Sequence, residues 1–188
     1  MATTSMKAYI PPLARLLGTT PATLYERQRA LVRAGLLDAG SGWGPGSGVR
    51  ITTAGSVALL LISVLASDSL TVSESRTGDV ANAAPVGVER CPLTGMRSFG
   101  DALASLLSMR GRSRRVNEIG VSRTAASASI SYRDGRTTRT SDFAGPGAKE
   151  PGLRVVATLA RDPFRTIADD VMAMVGETFD EAEEGRGQ

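Results

Sequence analysis

Residues 13–37 read LARLLGTTPATLYERQRALVRAGLL, and the fold of the N-terminal third turns on how this stretch is read. The preceding Pro11 and Pro12 suit a helix start, because the first turn has no use for their missing N–H groups. A short helix over 11–18 follows, with Leu13, Leu16 and Leu17 on one apolar face and Gly18 at its C-terminal end. Thr20 is the expected N-cap of a second helix and Pro21 its first residue. Leu24, Leu31 and Val32 then face inward, and Gly35 ends the helix. Two helices this close form a wedge with a packed inner side and a polar outer side.

Working outward, DAGSGWGPGSGVRITTAG is rich in glycine and ends in a short strand-like VRIT. Residues 54–67 are apolar nearly all round and predict a buried third helix. Residues 68–97 have weak periodicity and read as an irregular connection. Residues 98–110 make an amphipathic helix with Phe99, Leu103, Leu106 and Leu107 on one side. After RGRSRR (110–115) the period changes to two. Strands are expected at 116–122, 127–133, 136–143 and 153–160, with Asp134-Gly135 as a hairpin turn. Ile130, Tyr132, Val155 and Leu159 are expected on or near one buried face, with Leu153 and Ala157 also inward. A closing helix is expected over 162–175, with Asp162 as N-cap. The fold class is α+β. The expected organisation is a DNA-binding unit at 1–67, the connection at 68–97, a dimerisation or partner-binding unit at 98–175, and an acidic tail at 176–188.

Composition narrows the chemistry. The chain has 188 residues, no histidine and one cysteine, Cys91. A lone cysteine makes neither an internal disulfide nor a thiolate zinc site. Without histidine there is no Ser-His or Cys-His pair and no imidazole ligand. No enzyme activity, cofactor or metal is expected, and Asp169-Asp170 reads as a solvated helix face. No run reaches the roughly 18 apolar residues of a membrane span, and the N-terminus lacks the apolar stretch of a signal peptide, so the expected location is cytoplasmic. The formal net charge is +3. Six Lys and Arg face two Asp and Glu in 1–67, ten face seven in 114–175, and one faces five in 176–188.

The 13–37 stretch also resembles the winged helix-turn-helix of MarR-type bacterial regulators. An apolar-Ala step, a turn glycine, Thr-Pro, a recognition helix and a Gly-Leu closure stand at the family's spacing, and GWGPGSGVRITTAG is similar to its wing and the step after it. The likeness covers residues 11–66. Thr19 and Arg27 depart from it, since the family has apolar residues there. At Arg27 either the helix is rotated a little or the side chain snorkels along an edge. The resemblance implies that Thr20, Ala22, Thr23, Tyr25, Glu26 and Arg29 lie on or near the outer face of a helix that enters the DNA major groove. Arg29 would meet a guanine edge or a phosphate, and Thr23 and Tyr25 phosphates or thymine methyls. Glu26 would read cytosine, orient Arg29 or face water. Trp43 and Arg50 would lie at or beside the minor groove. The implied function is sequence-specific binding of double-stranded DNA by a homodimeric bacterial or phage transcriptional regulator. The alternatives are a phage packaging protein of the small-terminase kind and a winged-helix protein-interaction module. RGRSRR would clamp DNA backbone or be a solvated linker.

Overall fold

The computed structural model describes residues 4–40, 48–146 and 152–176. The chain opens with β1 (Thr4–Ser5) and α1 (Met6–Leu16). α1 therefore starts well before the two prolines, which lie inside it. Ser5 is its N-cap and accepts from the Lys7 N–H, and the Met6 N–H donates to the Val49 carbonyl. Burial of Met6, Tyr9, Ile10, Leu13 and Ala14 along one face holds the helix together despite the prolines. Pro11 has no N–H for the carbonyl four residues back, that of Lys7. The Tyr25 hydroxyl donates to that carbonyl instead, at 3.1 Å.

α2 (Pro21–Arg33) follows a four-residue turn, capped by Thr20 Oγ1 on the Thr23 N–H. Both helices end in the same way. Thr19 N–H reaches the Ala14 carbonyl and Gly18 N–H the Arg15 carbonyl; Leu36 N–H reaches Leu31 and Gly35 N–H reaches Val32. These are paired Schellman closures, and Gly18 and Gly35 supply the left-handed residue each requires, at φ 64° and 71°. β2 (Arg50–Ile51) pairs antiparallel with β1, and α3 (Ala54–Ala66) is the most apolar helix among the described residues.

The segment expected to be irregular contains α4 (Leu70–Ala81) and β3 (Ala84–Pro85). α4 shows no strong amphipathic period: its sequence, LTVSESRTGDVA, has few large apolar residues, and Thr77 is buried beside Val80. Gly100 of α5 (Phe99–Ser108) comes so close to it that a Cβ there would stand 3.1 Å from the Ala81 carbonyl. A one-turn α6 (Arg110–Ser113) then leads into β4 (Val116–Ser122), β5 (Ser127–Asp134), β6 (Thr137–Ala144) and β7 (Val156–Ala160), and α7 (Arg161–Val175) closes the described chain. Ala160, not Asp162, occupies the N-cap position of α7, and Asp162 sits in the first turn.

The five strands form one antiparallel sheet in the order β3-β6-β5-β4-β7. Ile119 of β4 faces Ile130 of β5 and Leu159 of β7, a buried row across three strands. Phe143 of β6 meets Phe99 of α5 edge to face, with ring centroids 5.3 Å apart. The expected face therefore holds for Ile130, Tyr132 and Leu159 but not for Val155 or Leu153, which are 42% and 73% exposed. The strand begins only at Val156, so the alternation read across 153–160 spans a loop and a strand. At the β5–β6 hairpin the two loop residues are Gly135 and Arg136, since Asp134 still pairs with Thr137. Gly135 has φ 61° and Arg136 a negative φ, the pattern of a type II′ turn.

α3 packs on α2 and also on α4, α5, β4 and β7. One continuous apolar cluster consequently runs from Met6 to Met172. The buried Tyr9 hydroxyl donates to Asp170 at 3.3 Å and joins α1 to α7. Cys91 is a buried free thiol in the loop before α5.

Candidate nucleic-acid interface

α2 has two distinct sides. Leu24, Arg27, Ala30 and Leu31 are buried. Ala22, Glu26, Arg29 and Arg33 follow one another at spacings of four, three and four, which places them on one helical face. Ala22, Arg29 and Arg33 are exposed and Glu26 half-buried. Glu26 pairs with Arg29 at 3.0 Å, with both side chains open to solvent. Such a pair adds little stability, but it restrains the guanidinium and shields part of its charge.

The remaining expected residues fall into separate places. Thr20 is the exposed N-cap, and its Oγ1 lies 2.9 Å from that of Thr23, so both hydroxyls are engaged at the start of the helix. Tyr25 turns to the flank of α2, where it meets α1 through the Lys7 carbonyl. Arg50 is exposed on β2 and pairs through its backbone with Ser5, one residue before α1. Trp43 lies outside the described residues, as does the glycine-rich stretch 41–47.

Arg27 neither snorkels nor turns outward. It is 3% exposed and donates through its two terminal nitrogens to the carbonyls of Ser63 and Ser67, the latter at 2.6 Å. These carbonyls lie at the C-terminus of α3, where the helix dipole favours a cation. Burial lowers the Arg27 pKa, and the Asp68 carboxylate opposes that shift. Asp68 itself pairs with Arg123, in the loop after β4.

Two exposed cations beside this surface, Lys7 and Arg33, were not among the residues expected from sequence. The signal for Arg33 was available: it stands four residues after Arg29 on the same helical face. Of RGRSRR, Arg112 is tied to the Thr94 carbonyl and the Ser105 hydroxyl, at 3.0 and 3.1 Å, and fastens the loop before α5. No helix of the described residues is long and apolar enough to cross a membrane. Compared with known protein families, curated proteins and solved structures, the chain matches none.

Proposed function

We propose that the protein binds double-stranded DNA through the outer face of α2, as a winged helix-turn-helix of the MarR-type kind, and acts as a transcriptional regulator. The observation that carries this reading is the two-sidedness of α2. Its inner face is fixed by Leu24, Leu31 and the buried Arg27, while Arg29 and Arg33 are exposed on its outer face. Thr20 and the two Schellman closures make the helix well ended, so the outer side chains stand on a rigid support. A rigid helix with arginines on one side fits the major groove, whose guanine edges and flanking phosphates accept a guanidinium fork. Arg50, on the strand that abuts α1, is assigned to the adjoining backbone phosphates.

The reading includes a homodimer, because one small module buries too little surface for high specificity. β7 is the edge assigned to it. Its outer side pairs with no described strand, and Val155 just before it and Val156, its first residue, are 42% and 40% exposed. An exposed apolar strand edge is a template for a second chain. Selection of bound duplexes from random DNA at moderate salt is the test. Recovery of a two-half-site sequence supports the reading, and recovery of unenriched DNA counts against it.

A further inference from the structure

A cavity of about 290 Å³ opens where β4 begins, β5 ends and α7 starts. Five arginines line it, Arg114, Arg115, Arg133, Arg161 and Arg165, together with Asn117 and Gly135, and among the described residues no carboxylate does. Within the sheet, Asn117 is the extra residue of a bulge, since pairing to β5 shifts register between Val116 and Glu118. The bulge lets this side chain depart from the strand's strict alternation at the rim of the cavity.

The arginines are oriented mostly by neutral acceptors, which hold them without cancelling their charge. Arg161 donates to the Asn117 amide oxygen, and Arg165 to the Arg114 carbonyl. Arg115 donates through Nε to the Arg133 carbonyl at 3.0 Å and lies over the Tyr132 ring, 5.8 Å from its centroid. Asp134, beside the rim, pairs with Arg115 at 3.0 Å but is shared with Arg139, also at 3.0 Å. Arg165 Nε is buried and has no hydrogen-bond partner among the described residues. Arg161 is the first residue of α7, whose N-terminus no side chain caps; Asp162 in the same turn takes up part of the positive field of that terminus.

We propose that this cavity is a binding site for a multiply charged phosphate ligand, held by Arg114, Arg115, Arg133, Arg161 and Arg165. Guanidinium forks match phosphate oxygens in geometry as well as charge. The volume stands at the lower end of ligand cavities, room for more than one phosphoryl group. The lining offers a nucleobase no aromatic or aliphatic platform, so recognition is of the phosphates themselves. They come either from a free polyphosphate chain or from adjacent backbone phosphates of a nucleic acid. The site does not rest on the DNA reading of α2.

The test titrates the full chain with inorganic tripolyphosphate by calorimetry, alongside sulfate as a divalent control. The wild type is compared with the Arg114→Ala/Arg133→Ala double variant, whose side chains are exposed and whose fold is checked by thermal melting without ligand. Saturable binding of tripolyphosphate, tighter than sulfate, is expected. The double variant is expected to bind about 100-fold more weakly, roughly ten-fold for each charged hydrogen bond lost. A second comparison, Arg165→Lys, keeps the charge and removes the fork, and is expected to lose about ten-fold. Arg97→Ala, an exposed arginine of the loop before α5 that pairs with Glu89, is expected to bind tripolyphosphate as the wild type does. Tripolyphosphate bound no more tightly than sulfate, or a folded double variant that binds as the wild type, overturns the proposal. A second arm adds labelled duplex DNA. Displacement of the duplex by tripolyphosphate, together with weaker duplex binding by the double variant, assigns the cavity to backbone phosphates. Unchanged duplex binding with tripolyphosphate bound assigns it to a free polyphosphate.

Discussion

Arg27 occupies a position where an apolar side chain would serve packing alone. Its register with Leu24 and Leu31 was legible in the sequence, and so was its departure from the MarR-type pattern. Its partners were not, because the Ser63 and Ser67 carbonyls are 36 and 40 residues away and backbone acceptors leave no mark in composition. Arg27→Ala is expected to lower stability by about 3 kcal/mol in urea unfolding, since it opens a cavity and strands two buried carbonyls. Tyr25 separates two roles. Tyr25→Phe is expected to cost no more than about 0.5 kcal/mol, because water reaches the exposed Lys7 carbonyl, and to leave duplex affinity unchanged; a large affinity loss would return Tyr25 to the DNA contacts. Tyr9 carries a pH dependence. Burial, with the Asp170 carboxylate beside it, raises its pKa above the ordinary tyrosine value of 10.0. The unfolded chain therefore releases this proton first, so the contribution is full below pH of about 10 and declines as pH rises beyond it. Thermal melts from pH 8 to 11 are expected to fall less steeply for Tyr9→Phe than for the wild type.

Among the elements, those with a strong period or a specific turn residue were readable. The β5 alternation Ala128, Ile130, Tyr132 and the glycine closures of α1 and α2 appear where the residues place them. α1 begins before the start that Pro11 and Pro12 predict, because prolines end or open a helix only where nothing else holds the preceding turn. Here a buried apolar face and the Tyr25 hydroxyl offset the interrupted bonding. α4 is not legible, because its sequence offers few large apolar residues and a threonine, Thr77, is buried beside Val80, so no hydrophobic period marks the helix. The hairpin was located, but the turn was shifted by one residue, because glycine alone takes positive φ there. Gly135→Ala is expected to lower stability by about 1–2 kcal/mol, read as a reduced melting temperature, since the position at φ 61° disfavours a Cβ.

At the scale of the molecule, α3 is shared. It completes the core beneath α1 and α2 and is also the support for α4, α5 and the sheet, a long-range arrangement that a third apolar helix does not announce. α2 is thus joined to the sheet side through α3 and also through α4, and α1 reaches α7 through Tyr9 and Asp170. The open β7 edge gives the dimer its test: light scattering of the wild type at micromolar concentration is expected to give a dimer, and Val155→Lys a folded monomer. A wild-type monomer with and without DNA would remove that part of the reading.

The central claim is that α2 reads DNA, and a salt titration of duplex binding for the wild type, Arg29→Ala and Arg50→Ala tests it most directly, with thermal melts to verify the fold. Both arginines are exposed, so neither substitution is expected to disturb the core. Arg29→Ala is expected to cost about 1–3 kcal/mol on the selected sequence and to relax preference at one base pair. Arg50→Ala is expected to weaken every duplex alike and lower the salt slope by about one unit. Equal binding by all three proteins, or no duplex bound even at low salt, would contradict the claim and leave the outer face of α2 as a surface for a protein partner.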